Sequence, residues 1–250
     1  MDAVVFIPTW NESENIEKLI REIFSILPDI HVLVVDDHSP DGTGEIVDAL
    51  CENFSNLHVL HREGPRGRGW AGIAGYIWAL DQGADLVLEM DADFSHQPVY
   101  LRDLISALAD ADMVIGSRYI PGGKDDRPGV LRNAVSRMAG KYQQWMFGTT
   151  VKDCTSGYRG YRSNVLEAIG VRKLNTWGPA ILSDVLYRVI KRGFKIVEIP
   201  IIFPDRERGQ STLTPRILCE GLWNVTRLAL TGAFSLDGKS DTHRSENPPS

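Results

Sequence analysis

The stretch HVLVVDDHSPDGTGEIVDALCEN, residues 31–53, decides the fold class. Its first part, residues 31–36, is an apolar run that predicts a buried strand. The acidic and turn-forming residues that follow end the strand, and residues 42–53 predict a helix. A short strand followed directly by a helix is the repeating unit of a parallel sheet.

The same alternation continues on both sides of that stretch. Further strands are predicted over residues 3–7, 57–60, 85–90 and 113–116, and further helices over 16–27, 70–82 and 98–108. Apolar strands separated by helices of this length predict βαβ units. We therefore expect an α/β fold, with a mainly parallel sheet flanked by helices in a single domain.

The rhythm changes after residue 120. A turn-rich loop is predicted over residues 121–128 and a strand interrupted by Pro200 over 194–203. Three helices are predicted, over residues 130–147, 181–191 and 213–230. Residues 236–250 are polar and predict a disordered tail.

Composition limits the classes of function. The chain has 250 residues, 43% of them apolar, and a net charge of −6, so nothing in the bulk charge indicates a nucleic-acid partner. Cys51, Cys154 and Cys219 lie far apart, without metal-type spacing or a disulfide framework. No signal peptide is predicted, and no apolar stretch reaches the ~20 residues of a membrane span. These features predict reduced thiols and a cytoplasmic location.

Polar residues follow every strand predicted in the first half of the chain. Ligands of open α/β sheets bind outside the carboxyl ends of the strands, where these residues must converge. The segments in question are PTWNE (8–12), DDHS (36–39), HREGPRGRG (61–69), DAD (91–93) and SR (117–118).

Asp91 and Asp93 are the sharpest feature of that edge. Two neighbouring carboxylates raise each other's pKa unless a cation lies between them. Mg²⁺ or Mn²⁺ takes one or two carboxylates and completes its shell with substrate phosphates. The pair therefore predicts a divalent metal site and a diphosphate ligand whose departure the ion would assist.

Six motifs taken together are more specific than that pair alone. In order they are PTWNE, VVDDHSPDGT, MDADFSHQP, GSRY, DCTSGYRGYR and EIPIIFPDRERGQS. The set resembles the inverting family 2 glycosyltransferases of the GT-A fold, and within them the polyprenol-phosphate (dolichol-phosphate) mannose synthases. The resemblance implies a GT-A (Rossmann-like) catalytic domain over residues 1–235, with a nucleotide-sugar half (1–118) and an acceptor half (119–235).

The resemblance also implies roles for residues that match the family pattern. Asp93 and Arg118 would be catalytic, and Ser95 would join Asp91 and Asp93 at the metal. Arg66 or Arg68 would approach the diphosphate. The nucleotide-sugar site would comprise Pro8, Trp10, Glu12, Asp37, Arg66, Asp91 and Asp93.

The acceptor phosphate would be held by Arg118, Arg132, Ser136 and Arg206. Arginine suits this role because its planar fork pairs with phosphate oxygens. The chain departs from the family at Thr212, where a lysine is expected, and Arg208 is a candidate replacement. This departure bears on the acceptor more than on the donor.

The activity implied by the resemblance is transfer of mannose from GDP-mannose to a polyprenyl (dolichyl) phosphate, dependent on Mg²⁺ or Mn²⁺. A phosphate monoester is largely ionised at neutral pH and needs no general base. His96 is expected to shape the loop after Asp93 and has no predicted catalytic role.

Three alternatives remain open from the sequence. The donor could be UDP-glucose with the same acceptor, or the acceptor could be a sugar hydroxyl. Residues 67–72 (GRGWAG) also match the G-x-G-x-x-G pattern of a nicotinamide-dependent oxidoreductase. That motif lies well past the end of its strand and outside the first βα turn, which makes the oxidoreductase the weaker prediction.

A lipid acceptor requires contact with a membrane. Residues 188–227 carry eight basic and four acidic side chains within a chain of net charge −6. The last helix, with Leu222 and Trp223, is therefore expected either to lie on a membrane surface or to pack on the catalytic core. Attachment would be peripheral, on the cytoplasmic face, or through a membrane partner subunit.

Overall fold

Nine strands lie within the part of the chain that the computed structural model describes, residues 2–176, 178–204 and 215–232. They are β1 (Ala3–Thr9), β2 (His31–Asp36), β3 (Leu57–His61), β4 (Leu86–Glu89), β5 (Met113–Ser117), β6 (Lys124–Asp125), β7 (Arg159–Arg162), β8 (Ile196–Pro200) and β9 (Ile202–Phe203).

Eight α-helices connect and cover these strands in the same described residues. They are α1 (Ile16–Ile26), α2 (Thr43–Cys51), α3 (Arg68–Asp81), α4 (Leu101–Ala107), α5 (Val130–Phe147), α6 (Ser163–Ala168), α7 (Ile181–Lys191) and α8 (Pro215–Thr231).

Seven of the strands form one sheet in the order β3-β2-β1-β4-β7-β5-β8. The pairs β1–β2, β1–β4, β2–β3 and β5–β8 are parallel, whereas β7 is antiparallel to both of its neighbours. Strands β6 and β9 form a separate two-stranded parallel sheet. The predicted mainly parallel sheet is confirmed.

Helices cover both faces of the large sheet, as the apolar strands require. In β1, Val5 and Ile7 pack into one core with α1, α2 and α4, while Val4 and Phe6 pack into the other with α3, α6 and α7. A strand buried on both faces reads as a continuous apolar run. This explains why the strand pattern was so clear in the sequence.

The structure corrects the sequence predictions in three places. Strand β1 continues through Pro8 to Thr9, and β4 ends at Glu89, so Asp91 and Asp93 lie in a loop rather than in strand alternation. Strand β7 (RGYR) and helix α6 were not predicted. Because β7 carries two arginines and a glycine, its four residues show no apolar run. Residues 236–250 lie outside the described part of the chain.

A histidine pair lies between strands β2 and β3. His31 Nδ1 is 3.2 Å from His58 Nε2, and the His58 ring also contacts Trp78. Burial is the main cause that lowers the pKa of both rings. The positive N-terminus further lowers the pKa of His31, and His31 further lowers the pKa of His58. The folded protein therefore favours the neutral pair.

We expect this pair to make stability depend on pH. Both groups start from an ordinary pKa of 6.5, so the unfolded chain binds more protons than the folded chain as the pH falls below that value. The contribution of the neutral pair to the free energy of unfolding is therefore complete above pH 6.5 and is lost as the pH falls below that value. On going from pH 7.5 to pH 5.5, the melting temperature of His31→Gln/His58→Gln should fall less than that of the wild type. An equal fall in both proteins would contradict the assignment.

Candidate active site

The candidate site lies where three adjacent strands end. Trp10, Asp37 and Asp91 follow β1, β2 and β4, which neighbour one another in the sheet. Each of these loops contains a non-glycine residue in the left-handed region: Asn11 (φ 58°), His38 (φ 61°) and Phe94 (φ 61°). This conformation costs ~1–2 kcal/mol per residue and persists only where the surroundings enforce it.

Hydrogen bonds between the loops after β1 and β2 help to hold Asn11 and His38 in this conformation. The backbone N–H of Asn11 donates to Ser39 Oγ at 3.1 Å, and that of Glu12 donates to Thr43 Oγ1 at 2.9 Å. The Ser39 hydroxyl in turn donates to the buried Asp36 at 2.6 Å. The loops after β1 and β2 therefore form one unit.

The loop after β3 folds across this unit. Asp37, only 7% exposed, accepts hydrogen bonds from Arg62 Nη1 and from the Gly67 backbone N–H, the latter at 2.8 Å. The Arg66 guanidinium lies 4.2 Å from the centre of the Trp10 ring. The structure thus brings the predicted donor-side residues Trp10, Asp37 and Arg66 together.

Asp91 has a cationic partner, Arg68, at the start of α3. Arg68 Nη2 lies 3.0 Å from Asp91 Oδ1, and Nη1 donates to Glu89 Oε1 at 2.7 Å. Glu89 is fully buried in β4, and its other oxygen accepts from the Tyr76 hydroxyl. Burial alone would lower the pKa of Arg68, but Asp91 and Glu89 outweigh it and raise that pKa. Arg68 therefore stays charged beneath the carboxylate pair.

Asp93 is held by the turn that follows it. It is 5% exposed, and its Oδ1 accepts from both the backbone N–H (3.1 Å) and the hydroxyl of Ser95. Asp91 is more open, with 32% of its side chain exposed. Ser95, predicted as a metal ligand, directs its hydroxyl at Asp93 and is itself buried.

His96 shapes this turn. Its Nδ1 accepts a 2.8 Å hydrogen bond from the Asp91 backbone N–H, so the ring is protonated on Nε2 when neutral. Burial lowers the pKa of His96 despite the opposing effects of Asp91 and Asp93. The ring stacks on Tyr158 at 4.8 Å and contacts Phe203 edge-on at 5.4 Å.

Phe203 connects the donor side to Arg118, which follows β5. The Arg118 guanidinium lies 5.1 Å from the Phe203 ring and forms a bidentate pair with the buried Asp153, both contacts at 2.7 Å. Its Nη2 also donates to Thr155 at 2.7 Å. Although burial alone would raise the pKa of Asp153, hydrogen bonds from Arg118 lower it. Arg118 is 5% exposed, so its charge is largely balanced within the fold.

The remaining predicted acceptor residues are described only in part. Ser136, half-buried on α5, accepts a 3.3 Å hydrogen bond from the Tyr119 hydroxyl, one residue after Arg118. Arg132 lies in the first turn of α5, and its side chain is outside the described part. Arg206, Arg208 and Thr212 also lie outside the described residues. Pro8 lies within β1, and Glu12 lies in the loop after it, which is hydrogen-bonded to Thr43.

The donor set at Asp91 and Asp93 suits a hard divalent ion. Carboxylate and hydroxyl oxygens are the ligands that Mg²⁺ and Mn²⁺ prefer. Within residues 2–176, 178–204 and 215–232, no cluster of three or more His, Cys, Asp or Glu side chains could hold a metal alone. The residues therefore fit an ion that completes its shell with oxygens from a substrate.

A family model decides the class of the protein. Residues 4–170 match the model described as Glycosyl transferase family 2. The chain belongs to this family. It is therefore a glycosyltransferase, not the nicotinamide-dependent enzyme that residues 67–72 also allowed.

Two curated relatives of the transferase match nearly its whole length. The chain is 41% identical over 234 residues to a protein of Micrococcus luteus named undecaprenyl-phosphate mannosyltransferase, covering 94% of this chain and 96% of the relative. It is 39% identical over 232 residues to a polyprenol monophosphomannose synthase of Mycolicibacterium smegmatis, covering 92% and 88%.

A solved structure confirms the GT-A fold of the transferase. It is a mannosyltransferase from Pyrobaculum calidifontis in complex with GDP-Man and Mn²⁺, and it superimposes with a TM-score of 0.56 at 19% identity. The match covers 94% of this chain and 73% of that one. At this identity the likeness concerns the fold alone.

Sequence reasoning missed the residues behind the site. Glu89 carried a signal, since it is a lone charge in the apolar run LVLEM. Asp153 lies in the motif DCTSGYR, which supported the family resemblance without being given a role. Both act through a partner distant in sequence, Arg68 and Arg118 respectively, so no local pattern identifies the pairing.

Gly157 leaves the space that Arg68 occupies. A Cβ atom at this position would lie 2.8 Å from Arg68 Nη2, so Gly157→Ala should turn Arg68 away from Asp91. Losing one charge-assisted contact predicts a fall of about ten-fold in glycosyl transfer, with the fold retained. Gly221→Ala, where nothing lies within 4 Å of the new atom, is the control for kinetics and unfolding. Unchanged transfer in Gly157→Ala would show that Arg68 is not needed in this position.

Replacing Arg68 should destabilise the protein more than replacing its neighbour Arg66. Arg68→Met leaves the buried Glu89 without its cation, at a cost of about 2 to 3 kcal/mol, since Arg68 itself keeps some solvent contact. Arg66→Met removes an exposed contact with Trp10 and should cost less than about 1 kcal/mol. Urea unfolding at pH 7 measures both, and equal losses would contradict the importance of the Glu89 pair.

Proposed function

We propose that the transferase moves mannose from GDP-mannose to the phosphate of a polyprenyl phosphate, with inversion at the sugar. The observation that carries the proposal is the pair Asp91 and Asp93 at the end of β4, backed by Arg68, on the same sheet edge as Arg118. Near full-length similarity to proteins named for mannosyl transfer to undecaprenyl phosphate, or as polyprenol monophosphomannose synthase, supports the choice of sugar and acceptor.

The donor would bind across the loops after β1, β2 and β4. Trp10 offers an aromatic face for the base. Pro8 lies two residues before it in β1 and Glu12 two residues after it, and Asp37 lies in the loop after β2, which is hydrogen-bonded to the Trp10 loop. Arg66 now covers the Trp10 ring. A base that stacked on Trp10 would displace Arg66 toward the diphosphate, where its charge is favourable.

A divalent ion, Mg²⁺ or Mn²⁺, would be held by Asp91 and Asp93 together with the diphosphate, and Ser95 is a candidate further ligand. Bound there, the ion would supply Lewis-acid stabilisation of the departing nucleoside diphosphate. Arg68 keeps Asp91 in place from below, and the Ser95 hydroxyl fixes the orientation of Asp93. These contacts preorganise the carboxylates before any substrate arrives.

The acceptor needs little activation from the protein. Its phosphate monoester is largely ionised at neutral pH, so an oxygen can attack the anomeric carbon without a general base. The new oxygen–carbon bond forms as the bond to the nucleoside diphosphate breaks on the opposite face. Arg118, Arg132, Ser136 and Arg206 would position this phosphate, and alignment would provide most of the rate.

Access to a lipid acceptor would come from the side of helices α5 and α8. Four large apolar side chains are strongly exposed there: Met138 (69%), Trp145 (77%), Trp223 (70%) and Leu230 (78%). No helix in the described part of the chain is long and apolar enough to cross a bilayer. We propose that the exposed side chains of α5 and α8 rest on the cytoplasmic face of a membrane, so that the transferase attaches peripherally, directly or through a partner subunit.

Asp93→Asn tests the carboxylate pair. The amide keeps the size of the side chain and removes the charge, so mannosyl transfer should fall on the order of 100-fold or more. The matched control is Asp103→Asn, an exposed aspartate of α4. Lipid-linked mannose formed from labelled GDP-mannose, polyprenyl phosphate and Mg²⁺ or Mn²⁺ is the measured quantity. Retained transfer in Asp93→Asn would contradict its role at the metal.

The same assay separates the candidate substrates. We expect labelled product from GDP-mannose and little from UDP-glucose, and phosphate-free polyprenol should not replace the acceptor. Product from UDP-glucose alone would favour the glucosyltransferase. Absence of lipid-linked sugar with every donor and metal would overturn the proposed function.

A further inference from the structure

A basic cavity adjoins Arg118. It is a cavity of about 450 Å³ between the loop after β5, helix α5 and the segment around Lys152. Arg137, Lys141 and Lys152 line it, and none of these three was predicted as part of the acceptor site. Arg118 forms the inner wall.

The three outer cations form no ion pair with any carboxylate that the structure describes. No ion pair joins Arg137, Lys141 or Lys152 to a carboxylate in the described part of the chain, and no acidic residue lines the cavity. The nearby carboxylates are engaged elsewhere: Asp153 pairs with Arg118, and Glu198 accepts the backbone N–H of Lys152 at 2.8 Å. In a chain of net charge −6, such a cluster creates a local field that attracts anions.

The walls of the cavity are fixed by direct contacts. Gln144 on α5 donates to the Lys152 carbonyl at 3.0 Å, which holds the two cationic segments together. The Arg137 guanidinium lies 5.4 Å from the centre of the Tyr119 ring. Arg137 and Lys141, one helical turn apart, repel each other and weaken the helix, a cost that a bound anion would remove.

An apolar surface adjoins this basic cavity. Met138 and Trp145, seven residues apart on α5, are each one residue beyond a lining residue and are 69% and 77% exposed. Helix α8 packs beside α5 through a 2.6 Å contact between Tyr142 and Thr226 and adds the exposed Trp223. Tryptophan beside cationic side chains is typical of a surface at the lipid–water boundary.

We propose that the outer part of this cavity, lined by Arg137, Lys141 and Lys152 and here called the outer basic cavity, binds the phosphate of an anionic phospholipid of the bilayer, while Arg118 at the inner wall is left to the acceptor. The positive charges of the cavity favour a phosphate group. The exposed apolar side chains of Met138 and Trp145 beside it favour a phosphate carried by a lipid over a soluble phosphate. Occupation of the cavity would orient α5 on the membrane, with Ser136 and Arg118 facing the region where the acceptor enters. The inference uses the membrane location from the proposed function but not the reaction.

Vesicle sedimentation without any sugar donor tests this inference independently of catalysis. The full chain is titrated with phosphatidylcholine vesicles, and with vesicles containing about 30% phosphatidylglycerol at the same ionic strength. We expect tighter binding to the anionic vesicles. Each lysine removed should weaken that binding about five-fold, and Lys141→Gln/Lys152→Gln on the order of 25-fold. The control Lys173→Gln, exposed and outside the cavity, removes one charge and should retain the preference.

Four results would overturn the inference. The wild type could bind both vesicles equally, or the double variant could keep the full preference for phosphatidylglycerol. Millimolar glycerol phosphate could also displace the protein from vesicles, which would indicate a soluble phosphate as the ligand. Finally, Lys141→Gln/Lys152→Gln could leave vesicle binding unchanged and instead raise the KM for polyprenyl phosphate in neutral detergent by the same factor. That result would assign the cavity to the acceptor.

Discussion

The site depends on one buried ion pair, between Glu89 and Arg68. Glu89 is fully buried in the middle of the central sheet, where an unpaired carboxylate would be very costly. Arg68 and the Tyr76 hydroxyl satisfy both of its oxygens. The same guanidinium also contacts Asp91. The cation that the buried Glu89 requires is therefore held next to the candidate metal site.

The loops around this pair are organised by the same principle. The loops after β1 and β2 each carry a polar group whose partner follows the next strand or begins the next helix, as with Asp37 and Gly67 or Glu12 and Thr43. These bonds link the loops in which Asn11 and His38 are left-handed, and hydrogen bonds made by Ser95 and His96 brace the turn around Phe94. A transferase that gains its rate from positioning requires such rigidity before substrate binds.

Charge is arranged differently on the two sides of Phe203. On the donor side, Asp91 is partly open, whereas Asp93 and the cation Arg68 are largely buried. Toward the acceptor side, Arg118 is neutralised by the buried Asp153. The positive charges that face solvent belong instead to Arg137, Lys141 and Lys152. This gradient from carboxylates to cations suits the proposed reaction between a metal-bound diphosphate and a phosphate at a membrane.

The sequence by itself determined the fold class and the sheet edge on which the predicted donor-side residues lie. Doubly covered strands are continuous apolar runs, and the carboxyl ends of parallel strands must meet, so Trp10, Asp37, Asp91 and Asp93 could be placed on one edge from local patterns. Only the tertiary structure decided that β7 enters the sheet antiparallel between β4 and β5. It alone paired Arg68 with Glu89 and Arg118 with Asp153, 21 and 35 residues apart. Periodicity records which face of an element is buried, whereas the partner of a buried charge is set by which distant segments the fold brings together.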